Sequence, residues 1–336
     1  MQGRQWIVPA ALVVAVLGAG GYSAVRQKGR APVTERGNSG LKWTKADASL
    51  ALLNGAKLVW RLNYKRAEGK PYFHPLGTLD GTVLTDLRPK DHPWHRAVWF
   101  SWKHINGLNY WEENRRTGLS QGRTEITAVK VTPNDDYSAK IELALAHHPP
   151  DKPVVLAEKR LISVAAPDKT GRYHVDWRST FTAGEKDVLL DRTPIPGQKG
   201  GRGYGGYAGL SLRMAPATRK WQYIDSEGRK GSRQIHGKNA RWVDFSGPVA
   251  DGKAAGVAVL DHPGNPRHPS PWYVNQGMPY FSPALLFNES RTLEAGKSLA
   301  LRYRIIVHPG RGDGEMLDKE WKAFSTAAAP GREKTK

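Results

Sequence analysis

Cysteine is absent from the 336-residue sequence. A chain without cysteine has neither a disulfide framework nor a cysteine-ligated metal centre. Long runs of like charge are also absent between the two ends of the chain, although the net charge is +20. Nucleic-acid-binding proteins of such charge usually concentrate it in a patch or stripe. The dispersed charge therefore predicts a solvated basic surface, suited to anionic glycans, and no nucleic-acid partner.

Glycine, proline and aromatic residues are plentiful. The chain has 36 glycines, 23 prolines, 12 tryptophans and 12 tyrosines. This composition favours many short strands joined by tight turns over a helical bundle. Hydrophobic residues make up 39% of the chain, which is enough for a packed core. We therefore expect a mainly all-β protein.

The first residues have the pattern of an export segment. Arg4 precedes an uncharged stretch over residues 6–21, and basic residues follow at positions 26, 28 and 30. A membrane-spanning helix needs about 20 apolar residues, which the stretch reaches only if it extends to residue 25. Residues 1–28 are therefore either a cleaved signal peptide or a retained N-terminal anchor. Both alternatives predict a periplasmic or extracellular protein whose only membrane contact is this segment.

The remaining sequence divides into three parts. Residues 29–40 lack hydrophobic periodicity and are predicted to form a linker. Residues 327–336 are small, polar and basic, so we expect a disordered tail. Between them, residues 41–326 are predicted to form one β-sandwich domain.

Alternation of apolar and polar residues predicts a dozen or so strands in this domain. Residues 137–146 and 298–308 alternate most clearly, so one face of each strand should be buried. Only residues 314–326 have apolar spacings typical of a helix. The expected fold is a large antiparallel β-sandwich with one C-terminal helix. The other predicted strands lie at residues 57–64, 97–102, 125–132, 154–164, 172–181, 210–214, 240–245 and 256–260.

The tripeptide Asp-His-Pro occurs twice, at the start of residues 91–96 and of residues 261–268. Imidazoles titrate near neutral pH, which suits them to acid–base work. If the strands bring both turns to one concave rim, the histidines form a composite site. Four of the eleven histidines lie in these turns: His92, His95, His262 and His268.

The first turn carries the candidate catalytic residues. His92 and His95 can exchange protons, Asp91 can orient an imidazole, and Arg96 can neutralise an anionic group of a substrate. This set fits proton abstraction beside a carboxylate or keto group, and it also fits binding alone. No cofactor is expected. A divalent metal would need a third ligand, from the second turn or from Glu112.

Tryptophan is concentrated around the same turns. Trp94, Trp99 and Trp111 lie within eighteen residues, and Trp272 follows the second turn. Aromatic rings stack on the apolar faces of sugar rings. Trp94 and Trp272 lie beside proline and are expected to be exposed, whereas core packing explains Trp99 equally well. The glycine-rich residues 200–209 are predicted to form a flexible loop that could act as a lid.

Several motifs resemble those of a known family. They are Tyr-Phe-His-Pro-Leu at 72–76, Asp-His-Pro-Trp-His-Arg at 91–96, Asn-Gly at 106–107, Trp-Glu at 111–112 and Asp-His-Pro-Gly-Asn-Pro-Arg at 261–267. Over residues 50–326 the sequence is similar to the bacterial PmoA-like family of unknown function, also named methane oxygenase PmoA. Methane oxidation is not expected, because the monooxygenase subunit of that name has several spanning helices and this chain offers one apolar segment.

That family in turn resembles the galactose-mutarotase-like supersandwich proteins, which bind sugars. The sequence departs from the first pattern at Trp94, where members commonly have histidine. It departs from the galactose-mutarotase-like pattern at Asn275 and Gln276, where a mutarotase would have a carboxylate base. Together with the residues above, the resemblance gives this predicted substrate-binding set: Trp94, Trp99, Asn106, Trp111, Glu112, His262, Asn265, His268 and Trp272.

Two functions remain open. One is an exported carbohydrate-active enzyme that binds a sugar or sugar-acid derivative and acts on it by lyase, hydrolase or isomerase chemistry. The other is a non-catalytic glycan-binding or envelope scaffold protein. The titratable cluster favours the first function, and the tryptophan at position 94 favours the second, because an indole cannot relay a proton.

Overall fold

The computed structural model describes residues 40–327. The predicted signal peptide or anchor, linker and tail lie outside these residues, apart from Gly40 and Ala327. Within the described range the chain is mainly β, in three antiparallel sheets, which confirms the predicted fold class. No helix of this range is long and apolar enough to cross a membrane.

Eight strands form the first sheet: β1 (Leu41–Ala46), β2 (Ser49–Asn54), β3 (Lys57–Asn63), β4 (Tyr72–Leu76), β5 (Val98–Ser101), β13 (Gly209–Arg213), β17 (Trp272–Asn275) and β18 (Tyr280–Pro283). Their spatial order is β1-β2-β3-β4-β5-β13-β18-β17. Strands from the first and second halves of the sequence therefore meet where β5 pairs with β13, and β13 pairs in turn with β18.

Eight further strands form the second sheet: β8 (Arg123–Pro133), β9 (Ala139–His148), β10 (Leu156–Val164), β11 (Tyr173–Ala183), β14 (Gln222–Asp225), β15 (Trp242–Pro248), β16 (Ala254–Asp261) and β20 (Ser298–Pro309). Their spatial order is β14-β15-β16-β20-β11-β10-β9-β8. These include the longest strands of the described chain, and they alternate between buried and exposed residues as the sequence predicts.

The third sheet is small, and the helices are few. Its strands are β6 (His104–Ile105), β7 (Leu108–Asn109), β12 (Val188–Asp191) and β19 (Arg291–Leu293), in the order β19-β12-β6-β7. The predicted C-terminal helix is confirmed as α2 (Gly314–Thr326), and the single turn α1 (Ser232–Ile235) was not predicted. Short 3₁₀ helices lie at Arg66–Glu68, Pro216–Lys220 and Ala250–Gly252.

The main core lies between the two eight-stranded sheets. Phe100 of β5 and Leu212 of β13 point into it from the first sheet, and Ile141 of β9 and Trp177 of β11 do so from the second. All four side chains are almost fully buried. Because successive side chains of a strand point to opposite faces, the intervening residues of β5 and β13 face away from this core.

The opposite face of the first sheet is buried as well. Trp99 of β5 lies opposite Tyr72 of β4 and, on its other side, opposite Ser211 of β13. Two residues along β13, Arg213 lies opposite Tyr280 of β18. Directly opposed residues share one face of a sheet. This face carries a second aromatic cluster that is covered by loops instead of by another sheet. The candidate site lies here.

Candidate functional site

A cavity of about 280 Å³ lies on this loop-covered face of the first sheet. Its walls come from the turn at residues 91–96, the segment after β7, the glycine-rich loop before β13, and the β17–β18 hairpin. Both halves of the sequence therefore contribute. The lining residues are His92, Trp94, His95, Trp111, Glu112, Tyr204, Tyr207, Tyr273, Met278 and Tyr280.

The turn at residues 91–96 is fixed by its own backbone. The amide of His92 donates to the Pro89 carbonyl at 3.0 Å, and the amide of His95 donates to the His92 carbonyl at 2.9 Å. The amide of Arg88 closes the segment by donating to the His95 carbonyl at 2.9 Å. Ala97, with φ of 63°, then redirects the chain into β5. This folding presents both histidines to the cavity.

His92 is oriented by a carboxylate. Its Nδ1 lies 2.9 Å from Oδ2 of Asp91, and Arg213 Nη2 donates to both Asp91 oxygens at 3.0 Å. Burial opposes ionisation of Asp91, but the hydrogen bonds from His92 and Arg213 outweigh it and lower its pKa to about 2. Because an ionised carboxylate only accepts, His92 donates its Nδ1–H, and the neutral form of the ring therefore has its lone pair on Nε2. His92 thus resembles the oriented base of a catalytic pair.

His95 is a buried, neutral imidazole. Its ring stacks on that of His92 at 4.7 Å and packs against Trp99 and Tyr280 at 5.2 and 5.5 Å. Burial, with the nearby charges of His92 and Arg213, lowers the pKa of His95 well below its ordinary value. Its Nδ1 is buried and has no hydrogen-bond partner among the described residues. Such an unsatisfied atom in a cavity wall is available to a ligand or a water molecule.

Glu112 faces the two histidines as part of a charged pair. Its carboxylate forms an ion pair with Lys103 and accepts hydrogen bonds from Asn109 Nδ2 at 2.5 Å and from the Tyr207 hydroxyl at 2.9 Å. Burial opposes its ionisation, but the Lys103 charge and these donors outweigh that cost, so the pKa of Glu112 lies below its ordinary value. Burial also lowers the pKa of Lys103 and raises that of Tyr207.

A local turn sets the position of this pair. The Asn109 side-chain oxygen accepts the amide hydrogens of Trp111 at 2.8 Å and Glu112 at 3.1 Å. Asparagine commonly closes a turn in this way. The Trp111 ring then packs 5.1 Å from Trp99 and 5.3 Å from Tyr207. One side of the cavity is thereby linked to the sheet and to the glycine-rich loop.

Arg96 does not have the predicted role. Its side chain is fully buried and does not line the cavity. It donates to Glu68 at 2.5 Å and to Glu113 at 2.8 Å, and Lys70 approaches the same Glu113 oxygen at 3.0 Å. A guanidinium held by two carboxylates cannot also neutralise a substrate. The residue holds the turn in place from behind.

Two residues predicted to bind substrate lie outside the cavity lining. Trp99 is buried beneath His95 and supports the cavity floor. Asn106, with φ of 50°, occupies the tight turn between β6 and β7. Its side-chain oxygen accepts the Leu189 amide at 2.8 Å, which joins the β6–β7 turn to β12. The structure thus gives both residues supporting positions.

The second Asp-His-Pro turn is not brought to the cavity. His268 Nδ1 lies 2.8 Å from Asp261, and its ring stacks on Trp321 of α2 at 5.8 Å. His262 packs edge-on against Phe324 of the same helix at 5.1 Å. Neither histidine lines the cavity that contains His92 and His95. The second turn packs beneath α2, so the structure gives no composite rim of the kind expected.

Two more predicted binding residues are used internally. Asn265 donates to Asp261 and to the Arg302 carbonyl, both at 2.7 Å. Trp272, which was expected to be exposed, is completely buried and donates to the Ala240 carbonyl at 2.9 Å. Proline at position 271 places it at the start of β17 instead of in an open turn.

The structure adds four tyrosines and a methionine to the site. Tyr204 and Tyr207 come from the glycine-rich loop, whose spacing predicted a mobile loop but not which rings face a ligand. Tyr273 follows the conspicuous Trp272, and strand alternation puts these neighbours on opposite faces. Tyr280 and Met278 had no sequence signal. They belong to the site because β18 pairs with β13, a long-range contact.

No group of three or more histidine, aspartate or glutamate side chains is placed to hold a metal ion within residues 40–327. The third ligand proposed from the second turn is engaged elsewhere, with Asp261 and α2. Glu112 already binds Lys103. The arrangement around His92 and His95 suits proton transfer and hydrogen bonding by the side chains themselves.

Comparisons with known proteins identify the family but no activity. No curated protein matches the chain. Among solved structures, it is similar to the Slr1438 protein from Synechocystis sp. PCC 6803, at 10% identity and a TM-score of 0.31, over 81% of this chain and 96% of that one.

A family model with the description "family of unknown function (DUF6807)" matches residues 49–322. The expected membership of a family of unknown function over nearly the whole domain is confirmed. The comparisons do not support the PmoA-like name or the galactose-mutarotase-like similarity. The chain belongs to the family of unknown function DUF6807.

Proposed function

We propose that the protein binds a neutral sugar derivative in the aromatic cavity and exchanges a proton with it through His92. The observation that carries this proposal is the Asp91–His92 pair, which orients an imidazole at the edge of a cavity with aromatic walls. A base held by a carboxylate, itself held by Arg213, is the arrangement used to activate protons in acid–base catalysis.

The cavity suits a sugar in shape and chemistry. Aromatic rings supply most of its lining, and such rings stack on the apolar faces of pyranoses while hydroxyl groups bond to polar neighbours. His92, His95, Glu112 and the tyrosine hydroxyls are the polar groups within reach. Its volume of about 280 Å³ is near the lower end of ligand pockets, roughly 300–1,000 Å³. This favours a single sugar unit over a long oligosaccharide.

The charge of the lining favours a neutral ligand over a sugar acid. No lysine or arginine is among the described residues that line the cavity. Arg96 is held by two glutamates, and Lys103 is held by Glu112. A buried carboxylate of a ligand would lack a cationic partner here, which is costly.

The reaction that fits best is proton transfer beside a carbonyl group. His92 Nε2 would take the proton from the hydroxyl-bearing carbon next to the carbonyl and return it to the former carbonyl carbon. The hydroxyl proton would move to the former carbonyl oxygen, so that the C–H and O–H bonds broken are matched by those formed and the sugar is isomerised. A neutral His95 can donate a hydrogen bond to the oxygen on which charge develops. Hydrolysis by a pair of carboxylates is less well supported, because Glu112 is the one carboxylate among the described lining residues.

The site of action belongs to the same proposal. The N-terminal segment predicts export to the periplasm or beyond, with membrane contact through that segment alone. The resemblances to the PmoA-like family and to galactose-mutarotase-like proteins agree with a sugar ligand and remain part of the hypothesis. The proposed step uses side chains alone.

The test is a panel of neutral, amino, acidic and keto sugars, assayed for thermal shift and for turnover with the purified protein. For a sugar that is turned over, His92→Ala should lower kcat roughly 10²–10⁴-fold, the usual contribution of a general base. His174→Ala, which removes a half-buried imidazole from β11, is the matched control and should leave kcat unchanged. Equal activity of the wild-type protein and His92→Ala would contradict the proposed role.

A non-catalytic sugar-binding protein is the second candidate. It is favoured by Trp94, which occupies the cavity wall beside His92 at a ring distance of 5.5 Å and cannot relay protons. On this alternative, neutral sugars stabilise the protein without being consumed. His92→Ala would then weaken binding modestly, and Trp94→Ala would weaken it more.

A further inference from the structure

Within residues 40–327, no element covers half of the outer face of the second sheet. Helix α2 covers the other half, where Leu317 and Phe324 pack on Leu260 of β16 and Ile306 of β20. On β8 to β11 the outward side chains are partly or fully exposed, and they border a shallow groove of about 480 Å³. This open area is separate from the aromatic cavity.

Cross-strand register concentrates positive charge where this open half meets the part covered by α2. Arg178 of β11 lies directly opposite Arg302 of β20. Lys159 of β10 lies opposite Thr180, two residues along β11 from Arg178. All three cations therefore project from the same face within two rungs of the ladder. We call this cluster of Lys159, Arg178 and Arg302 the basic face.

Among residues 40–327, no acidic side chain forms an ion pair with the basic face, although the charge of Asp176 acts on Arg302. Lys159 and Arg178 make no ion pair or hydrogen bond with any described residue. Arg302 donates to the Ala327 carbonyl at 3.2 Å and lies over the Phe324 ring at 5.8 Å. Burial and then the charge of Arg178 lower the pKa of Arg302. Like charges directly opposite each other destabilise a sheet, so a bound anion would reduce the repulsion between Arg178 and Arg302.

Neighbouring cations on the same sheet are paired with carboxylates, which distinguishes them from the cations of the basic face. The Glu142 carboxylate forms ion pairs with Lys140 at 2.7 Å and with Lys130 at 3.7 Å. The Asp176 carboxylate forms an ion pair with Arg304 at 2.7 Å. The three cations of the basic face therefore differ from Lys130, Lys140 and Arg304 on the same sheet, each of which has a carboxylate partner.

We propose that the basic face binds an anionic polysaccharide through the carboxylates of successive sugar units. A guanidinium presents a planar fork that matches a carboxylate, and a lysine beside it adds a compact charge. Neighbouring residues of the ladder are roughly 5 Å apart, so an extended polymer can meet several cations at once. This inference does not depend on the function proposed for the cavity.

The side chains around the cations favour a polymer over a membrane. Surfaces that lie on lipid combine basic residues with Trp, Phe or Leu side chains that enter the bilayer interface. The groove instead presents Ala128, Lys130, Glu142, Ala144 and Thr180, with Leu161 half-buried. Two further apolar residues of its lining, Val129 and Leu143, pack toward the main core. Acidic lipid is therefore the competing ligand that the test must separate.

The experiment measures binding of the full-length protein to polygalacturonate by affinity electrophoresis. The variant is Lys159→Gln combined with Arg178→Gln, and the matched control is Arg115→Gln combined with Arg116→Gln, two exposed arginines in a loop. We expect about tenfold weaker binding for the variant and no more than about twofold for the control. Pullulan, a neutral polysaccharide, should not bind through this face.

Three results would overturn the inference. One is equal loss of affinity in the variant and the control, which would mean a non-specific effect of net charge. Another is unchanged binding in both. The third is that vesicles of phosphatidylcholine and phosphatidylglycerol, mixed 3:1, bind in a manner that depends on Lys159 and Arg178 while polygalacturonate does not. His92→Ala should bind polygalacturonate like the parent, so failure of the cavity proposal is distinguishable.

Discussion

Single side chains in the cavity depend on the partners behind them. His92 is oriented by Asp91, Asp91 by Arg213, and Glu112 by Lys103. Arg213 and Lys103 are buried, whereas the Asp91 side chain is 49% exposed. Such pairs can be predicted from sequence only when the partner is adjacent, as Asp91 is to His92. Arg213 lies 122 residues from Asp91 and could not be identified.

Asp91→Asn tests the orientation of His92. The amide cannot hold the Nδ1–H tautomer as an ionised carboxylate does, and it also loses its charge pairing with Arg213. For a sugar that the protein turns over, we expect kcat to fall about 10²-fold while KM changes little. Steady-state kinetics measures both constants. A change in KM with kcat intact would show that Asp91 serves binding and not proton transfer.

Tyr207→Phe tests the bond between the glycine-rich loop and Glu112. The change removes the hydroxyl that donates to Glu112 at 2.9 Å and keeps the ring. We expect the free energy of unfolding to fall by about 1 kcal/mol, the net value of one such hydrogen bond. Tyr204→Phe is the control, since that side chain is 58% exposed. Chemical denaturation of both variants should show a loss for Tyr207→Phe alone.

At the scale of elements, periodicity predicted the long strands well. The predicted strand at residues 57–64 is β3, that at 172–181 is β11, and that at 298–308 is β20, each within two residues at either end. These strands have one wet face, so alternation is visible in the sequence. The short strands β6, β7, β12 and β19, and the strands β17 and β18 that build the cavity, were not predicted. Four consecutive buried residues in β18 hide any alternation.

Helix α2 illustrates how an element stabilises a sheet. Leu317 is completely buried against the second sheet, and we expect Leu317→Ala to lower the free energy of unfolding by about 2–5 kcal/mol. Lys319→Ala, an exposed position on the same helix, should change it by less than about 0.5 kcal/mol. Urea denaturation gives both values. Similar small effects for the two variants would show that α2 is dispensable.

For the whole molecule, sequence reasoning predicted the sandwich but only half of the site. His92, Trp94, His95, Trp111 and Glu112 were predicted to contribute, and they do line the cavity. The second turn was joined to them because of a shared tripeptide. Three residues do not specify which sheet face a turn occupies, and in the structure α2 covers the second turn. The register of β13 with β18 decides which residues of the second half reach the cavity, and that long-range pairing leaves no local pattern.

The titration of histidines across the molecule predicts loss of stability in mild acid. Burial lowers the pKa of five histidines, in each case as the largest cause: His74, His95, His104, His174 and His262. Unfolded histidines bind protons near pH 6.5, whereas these folded ones do not until the pH is lower. The unfolded state therefore holds more protons in this range. By linkage, stability falls as the pH falls below about 6.5.

His308 has the opposite sign. Burial opposes its protonation, but hydrogen bonding and charge from Asp244 outweigh that effect and raise its pKa. Its stabilising contribution is complete below about pH 6.5 and is lost as the pH rises through the raised value. The one histidine with a raised pKa opposes five histidines with lowered pKa values, so their combined effect is a lower free energy of unfolding in acid.

His262→Asn isolates one contribution to the acid instability. Burial, with the charge of Arg302, lowers the pKa of His262 to about 4, and its Nδ1 accepts the Gly264 amide at 2.9 Å. Asparagine keeps an acceptor for that amide but cannot be protonated. Between about pH 6.5 and 4 the wild-type free energy of unfolding should therefore depend more steeply on pH, by up to about 1.4 kcal/mol per pH unit. Urea titrations at half-unit pH steps measure both slopes, and parallel lines for the two proteins would contradict the assignment of His262.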